Sequence, residues 1–493
     1  MNEKNKNILT KNTVEHELLN EQKSHSTEPI WKKLNHAPPK SRREFLAYGI
    51  IPFAVSALIP NPFKLLQSEL FIEGALAQTD PNCSGTGNWI PFIQLDLAGG
   101  AGLMANIVPM DRSGSLLPTY SLMGLGRVPD ITQDFNGVPF HTQSGLRAGI
   151  NSQINQQIRQ NTRIFSVCVQ SGDDRQSNPM AMNGIIQRLG NTGAFLPHLG
   201  NRNTNTTGHH FPALVPVSGP LFVSSFDSIA SSLRFTAPVL NQLSQSQRER
   251  LVKVSRQLTQ YEIQKLDTKG QLNKFKTIAH CAGIKNEELQ RLGTTIADPL
   301  TNTSLSQIWQ INQNTNRSDG NFVMAALVFN ALNGNAGSST ITLGGYDYHG
   351  NARTTTDQRD QEAGQVIGRI LASAAALNRP VFIAVTSDGS VGSVQSDSVS
   401  QFTTDRGSAG MLLGIFYDPQ RSISLKKTQL GYFEQGQVAS TSLDSVVGGS
   451  VERGVASIVL NYLALQNKVS DFQNTFRNMF NRNDLEKIIL IDS

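Results

Sequence analysis

A short apolar segment that runs directly into a glycine-rich turn is the feature that most constrains the fold. Residues 89–97, Trp-Ile-Pro-Phe-Ile-Gln-Leu-Asp-Leu, have the length and composition of a buried strand, and Ala-Gly-Gly-Ala-Gly follows at 98–102. A strand that ends in such a turn places the turn at the carboxyl edge of a sheet, where α/β proteins bind ligands. We therefore expect a candidate site close to residues 98–102.

Strands and helices alternate through most of the remaining chain. A polar helix is predicted at 147–160, before a second buried strand at 163–170, in which Cys168 is expected to be an inert core residue. Further helices are predicted at 321–332, 356–377 and 451–465, and further strands at 339–343, 381–386 and 411–416. This alternation predicts an α/β fold with a mostly parallel central sheet and helices on both faces.

The character of the sequence changes between about 238 and 300. Apolar residues recur there at helical spacing among Gln, Lys, Arg and Glu, namely Leu240, Leu243, Leu251, Val254, Leu258 and Tyr261. We expect two or three helices that form an insertion or cap. His280 and Cys281 fall within it, and adjacent residues on a helix point about 100° apart, so core packing is favoured over metal binding.

A pair of arginines near the N-terminus resembles the twin-arginine export signal of bacteria. Arg42 and Arg43 are followed by Glu-Phe-Leu and by an apolar run over 45–59. That run is shorter than the roughly 20 residues that a membrane span needs, and it fits the apolar region of a signal peptide. Small residues at Ala75 and Ala77 predict cleavage after Ala77. The alternative is an uncleaved anchor.

Cleavage there would divide the chain into a leader with its signal peptide (1–77) and one α/β domain (78–493). Residues 1–40 are polar and lack periodicity, which indicates a disordered leader. The first 77 residues hold 10 of the 43 Lys and Arg and 8 of the 38 Asp and Glu, so the remaining chain is close to neutral. We therefore expect no nucleic-acid partner and no stable membrane span after cleavage. The expected partner is the twin-arginine translocase, and the expected location is periplasmic or otherwise exported.

Polar residues stand at the ends of the predicted strands in the second half of the chain. Gly-Gly-Tyr-Asp-Tyr-His follows one strand at 344–349, Ser-Asp-Gly follows the next at 387–389, and Asp-Arg-Gly precedes the third at 405–407. If these segments share one edge of the sheet, a cluster forms that suits a divalent metal or general acid–base chemistry, consisting of Asp347, His349, Asp388 and Asp405. The alternative is that each is an ordinary turn residue, because Asp beside Gly is a common turn choice.

The order of these features is similar to that of a family of exported bacterial proteins called domain of unknown function 1501, in the alkaline phosphatase and sulfatase superfamily. Gly99-Gly100-Ala101 with Ile107-Val108-Pro109, and the turn at 344–349, match its first two elements, while 386–389 and 405–407 stand where its last two belong. The resemblance covers most of 89–470. It implies an alkaline phosphatase-like α/β fold with a two-metal ester-hydrolysing site.

The chain departs from the family pattern at several positions. Gly102 stands where the family has Asp, Asp388 where it has Glu, and Arg406 where it has His. Two-metal chemistry needs about six ligands, whereas the four remaining positions suit one divalent ion: zinc, manganese or calcium. Ser177 and Thr386 are nucleophile candidates by position, and Arg175 or Arg406 would contact an anionic substrate through its guanidinium fork.

Two functions follow from these observations, and the sequence leaves open whether the protein is an enzyme. The missing ligands favour a non-catalytic exported protein with a degenerate metal site, which binds a ligand or partner at the edge of the sheet. The surviving Asp347 and His349 favour a metal-dependent hydrolase of phosphate or sulfate esters. A redox enzyme is disfavoured because the turn at 98–102 lacks the later glycine of a dinucleotide-binding motif. The substrate and the oligomeric state do not follow from the sequence.

Overall fold

A computed structural model describes most of the chain from residue 90 onwards. The residues described are 90–122, 129–132, 134–170, 182, 186, 197–201, 220–233, 243–266, 283–284, 287, 290–291, 295–350, 352–387, 389–392, 402, 404–470, 472 and 479–492. The predicted leader and signal peptide, with Arg42, Arg43 and Ala77, lie outside these residues, as do His280 and Cys281.

The described residues form one large sheet and two small ones. The strands are β1 (Phe92–Leu97), β2 (Thr162–Val169), β3 (His198–Gly200), β4 (Leu221–Phe222), β5 (Ser338–Leu343), β6 (Val381–Ser387), β7 (Val391–Gly392), β8 (Thr404–Asp405), β9 (Gly410–Tyr417), β10 (Ser424–Leu425), β11 (Gln429–Leu430) and β12 (Ile491–Asp492). The large sheet has eight strands in the order β11-β2-β9-β6-β1-β5-β3-β4. Strand β7 pairs with β8, and β10 pairs with β12.

The large sheet is mostly parallel, as the sequence predicts. Strand β1 lies between β5 and β6 and is parallel to both, and β3 continues the parallel run beyond β5. The exception is β9, which runs antiparallel to its neighbours β2 and β6. The beginning of β9 therefore lies at the edge where β1, β5 and β6 end, and this reversal puts residues 404–407 at that carboxyl edge.

Eleven helices surround the sheet in the described part of the chain. They are α1 (Leu103–Asn106), α2 (Asp134–Gly137), α3 (Gly145–Gln153), α4 (Gln156–Gln160), α5 (Phe226–Ser232), α6 (Gln245–Leu266), α7 (Thr303–Trp309), α8 (Gly320–Leu332), α9 (Arg353–Ala376), α10 (Val451–Ala464) and α11 (Arg482–Ile488). The single helix predicted at 147–160 is wrong, because Ile154 and Asn155 are extended and the Asn155 side chain caps α4 by accepting from Ile158 N. The other predicted helices from 321 onwards are confirmed, with ends shifted by a few residues.

Apolar side chains cover both faces of the sheet. Along β1, Ile93 and Leu95 join one buried core with α3, α8 and α9, whereas Phe92 joins a second core with α10 and α11. Successive strand residues point to opposite faces, so a strand that is apolar on both sides is covered on both sides. The prediction of an α/β fold with helices on both faces is confirmed.

Helices α3 and α9 pack with their backbones in contact. A Cβ atom at Gly149 would lie 2.1 Å from the Gln361 carbonyl oxygen, and one at Gly364 would lie 2.1 Å from the Leu146 carbonyl oxygen. Glycine is required at both positions because any side chain would separate the two helices. This contact holds the first half of α9 against α3, which belongs to the part of the chain that follows α1.

The predicted insertion at about 238–300 is described in part. It contains one long helix, α6, and single-turn 3₁₀ helices at Thr295–Ala297 and Pro299–Thr301. Within the described residues, no helix of the molecule is both long enough and apolar enough to cross a membrane.

Candidate functional site

Four turns meet at the carboxyl edge of the large sheet. A Cβ atom at Gly99, after β1, would lie 2.4 Å from the backbone nitrogen of Asp347, after β5. One at Gly100 would lie 3.5 Å from the backbone nitrogen of Ser390, after β6. Arg406 N in turn donates to Ser390 O at 2.8 Å. We call residues 98–102, 344–350, 389–392 and 404–407 together the rim.

The glycine turn of the rim is held by the last residue of β6. Ser387 Oγ accepts from Ala101 N at 2.7 Å and donates to Leu97 O at 3.0 Å. One hydroxyl thus bridges the end of β1 and the turn that follows it. Because Gly99 and Gly100 have φ angles of 120° and 89°, this turn requires residues without a Cβ atom.

The turn after β5 alternates buried tyrosines with exposed polar residues. Tyr346 and Tyr348 are buried, whereas Asp347 and His349 are exposed. Asp347 Oδ1 accepts from His349 N at 3.2 Å, so this carboxylate caps its own turn. The structure places Asp347 and His349 in the turn after β5, and their predicted role as metal ligands stays a prediction.

A buried carboxylate that the sequence analysis missed anchors this turn to α9. Asp360 Oδ1 accepts from Tyr348 Oη at 2.7 Å, and Asp360 Oδ2 accepts from Asn106 Nδ2 at 2.8 Å. Asn106 Oδ1 in turn accepts from Ser144 Oγ at 2.7 Å. Burial raises the pKa of Asp360 to about 7, against the opposing effect of the two hydrogen bonds. Asp360 therefore links the segment after β1 to the turn after β5.

Thr386, one of the two nucleophile candidates, lies inside the molecule. It is fully buried on the face of the sheet that also carries Phe92, and Thr386 Oγ1 donates to Asp96 Oδ1 at 3.2 Å. Gln94 Nε2 donates to Thr386 Oγ1 at 3.3 Å. The hydroxyl thus has a carboxylate beside it, as an activated nucleophile requires, but it is enclosed beneath the rim. Asp96 was also missed, although a carboxylate within an apolar strand was a visible signal.

Arg406, expected to contact an anionic substrate, is bonded to a neighbouring turn. Arg406 Nη2 donates to Gly436 O at 2.7 Å, and Arg406 Nη1 donates to Gln437 Oε1 at 3.1 Å. Both terminal nitrogens of the guanidinium group therefore hold residues 436–437 against the rim. In this structure Arg406 therefore stabilises the rim by joining it to residues 436–437.

Several predicted site residues lie outside what the structure describes. Ser177, Arg175 and Asp388 are among them, and for Asp405 only the backbone is described, where it pairs with Val391 in the small β7–β8 sheet. The backbones that carry Asp347 and Asp405 thus reach the same rim. The convergence of the four proposed metal ligands, Asp347, His349, Asp388 and Asp405, stays a prediction.

The described part of the rim supplies two metal-binding side chains. Asp347 and His349 offer a carboxylate and an imidazole on one exposed turn, and both residue types bind zinc or manganese. Among the residues that the structure describes, no three His, Cys, Asp or Glu side chains lie close enough together to hold a metal ion. A protein site for zinc usually has three or four protein ligands. The described residues alone therefore do not make up a metal site.

Comparison with known proteins adds no relative from which a role for the rim could be transferred. No model of a protein family matches the chain, and no significant match is found among curated proteins.

Proposed function

We propose that this chain is an exported, periplasmic protein of alkaline phosphatase and sulfatase type, divergent from the family called domain of unknown function 1501, and that its rim has a non-catalytic binding or structural role. The arginine pair at Arg42 and Arg43, the short apolar run and the small residues before Ala77 support export. The eight-stranded sheet and the order of its rim turns agree with the expected fold.

The observation that carries the non-catalytic role is the bonding of the rim's own charged groups. Asp347 accepts the backbone N–H of His349, and both terminal nitrogens of Arg406 bind residues 436–437. Two of the five N–H donors of Arg406 are committed to residues 436–437, which fixes the direction of its guanidinium group. Asp347 and Arg406 thus stabilise the turns of the rim. We infer that the rim is a rigid surface that binds a ligand or a partner, and that its metal site is degenerate.

Ester hydrolysis is the second candidate function. It is favoured by the exposure of Asp347 and His349 on one turn next to the glycine turn, where the carboxylate would help to hold a zinc, manganese or calcium ion and the imidazole suits zinc. A bound ion would polarise the phosphate or sulfate oxygen of a substrate. The buried Thr386 hydroxyl lies beneath this point and would have to become accessible before it could act as a nucleophile.

Turnover of chromogenic phosphate and sulfate esters, with zinc, manganese or calcium added in turn, tests the proposal. We expect the unchanged protein to hydrolyse these esters no faster than the Asp347→Ala and His349→Ala variants do, because the side chains of the rim stabilise its turns. Asp227→Ala, which removes an exposed carboxylate on α5, is the matched control. Turnover that both rim variants abolish and the control retains would overturn the non-catalytic role and establish the hydrolase.

A further inference from the structure

Helix α6 exposes three large apolar side chains on one side. Leu251, Val254 and Tyr261 retain 40%, 51% and 52% of their accessible surface. Their spacing of three and seven residues places them along the same side of the helix, which runs from Gln245 to Leu266. Such an exposed apolar series on an otherwise polar helix commonly marks an interaction surface.

The same side of α6 is positively charged. Arg250, Lys253 and Lys265 are exposed beside the apolar series, and Lys265 Nζ lies 4.3 Å from the centroid of the Tyr261 ring. Three of the five Lys and Arg of the helix lie on this side, whereas Arg256 lies on the opposite one, and the two acidic residues of the helix are Glu249 and Glu262. Since the chain predicted after cleavage is close to neutral, this positive charge is a local property of α6.

The opposite side of α6 fixes the helix to the rest of the insertion. Val252 and Thr259 are buried, and Arg256 Nε forms an ion pair with Glu287 Oε1 at 2.6 Å. Gln245 Nε2 donates to Arg291 O at 2.9 Å. These contacts turn the side that carries Val254 and Tyr261 outwards.

We propose that this side of α6 docks on the surface of an anionic lipid bilayer. A helix that presents apolar side chains flanked by Lys and Arg lies in the interface of a bilayer, with its apolar groups at the headgroup–acyl boundary. The cations meet the lipid phosphates, because an anionic surface attracts Lys and Arg side chains near it. Long Lys and Arg side chains reach headgroups while their stems cover apolar surface, so the alternation of both kinds of residue suits this location.

A second helix fits the surface less well than a bilayer does. Continuing the series by one helical step in either direction leads to Gln247 and Lys265, where a coiled-coil seam requires apolar residues. A partner helix would bury the Lys265 ammonium group, and moving a charge out of water costs free energy. At a bilayer the same ammonium group stays among water and phosphate. This inference is independent of the proposed role of the rim, because α6 contributes no residue to it.

Co-sedimentation of the purified, naturally processed protein with lipid vesicles tests the inference. The probes are vesicles of phosphatidylcholine and vesicles of equal parts phosphatidylcholine and phosphatidylglycerol. We expect binding to the anionic vesicles that weakens as salt is added. Arg250→Gln with Lys253→Gln should lower the partition coefficient roughly tenfold or more. Val254→Ser with Tyr261→Ser should lower it comparably through the lost apolar contact.

Matched variants control for general effects of charge and apolar surface. Arg482→Gln with Lys487→Gln removes two exposed cations from α11, and Leu443→Ser removes an apolar side chain that is 97% exposed. Both controls should bind anionic vesicles like the unchanged protein, and all variants should keep its melting temperature.

Three outcomes would overturn the inference. The first is that neither kind of vesicle binds, and the second is that binding is the same on neutral and anionic vesicles. The third is self-association, detected by light scattering, that the α6 variants abolish while vesicle binding is absent. That result would assign the surface to a second copy of the chain.

Discussion

Gly99 packs its Cα against the backbone of Asp347, so that a methyl group at Gly99 would lie 2.4 Å from Asp347 N. This contact joins the turns after two neighbouring parallel strands, β1 and β5. The turns cannot separate without breaking the hydrogen bond from Tyr346 N to Ala98 O, which is 3.1 Å long. These two turns of the rim are therefore one packed unit.

Replacement of Gly99 by alanine should destabilise the protein by about 3 kcal/mol, because backbone strain at φ 120° adds to the clash with Asp347. Gly114→Ala is the matched control. Gly114 also has a positive φ of 81° but would place its methyl group in open space, so it should cost about 1 kcal/mol. Urea denaturation measures both. Equal losses would show that the contact between the two turns is absent in solution.

Two threonines beside Asp96 should respond in opposite ways to replacement by valine. Thr386→Val removes a donor to the buried Asp96 carboxylate and should cost about 1 to 3 kcal/mol. Thr342 faces Asp96 from the other neighbouring strand, and its Oγ1 is buried without a hydrogen-bond partner in the part of the chain that the structure describes. Thr342→Val should therefore be neutral or stabilising. Similar losses from both variants in thermal unfolding would contradict these bonding patterns.

The stability of the protein should depend on pH through Asp360. Burial raises its folded-state pKa from 3.8 to about 7. Between about pH 4 and 7 the folded protein therefore binds more protons than the unfolded chain, and the free energy of unfolding falls as pH rises across that window. Asp360→Asn should flatten this dependence, as followed by urea denaturation at a series of pH values.

A second variant makes the assignment to Asp360 specific. Tyr348→Phe removes a hydrogen bond that lowers the pKa of Asp360, so the window in which stability falls should extend to higher pH. A pH dependence that neither variant changes would mean that Asp360 is ionised throughout this range.

The elements themselves were largely predictable, whereas their directions and connections were not. The apolar run over β6 and the glycine turn after β1 were evident, because strand length and turn residues are local properties. The direction of β9 was not, because a buried strand has the same apolar pattern whether it runs parallel or antiparallel. That direction decides which end of β9 meets the rim.

The missed site residues show the same limit. Asp360 stands in a polar stretch of α9 and becomes buried only because Tyr348 and Asn106, the latter 254 positions away, close around it. Arg406 lies in the rim, but its partners at 436–437 belong to a later segment of the chain that its own sequence neighbourhood does not reveal. Contacts between residues far apart in the chain depend on how the strands and helices are connected. The sequence around each residue therefore does not reveal them.

Export should depend on the two arginines. Replacement of both Arg42 and Arg43 by lysine keeps the charge but removes the pair that the translocase reads, so the protein should remain in the cytoplasm with its leader intact. Cell fractionation measures its location. N-terminal sequencing of the unchanged protein should begin at Gln78, the residue after Ala77. Normal export of the double-lysine variant would contradict the predicted signal.

The metal content of the purified, processed protein tests the central claim most directly, because it shows whether the rim binds a metal ion or only stabilises the fold. We expect elemental analysis to find zinc, manganese and calcium well below one ion per chain, with Asp347→Ala and His349→Ala no different from the unchanged protein. One tightly bound ion per chain, lost in both variants, would contradict the account and make the rim a metal site.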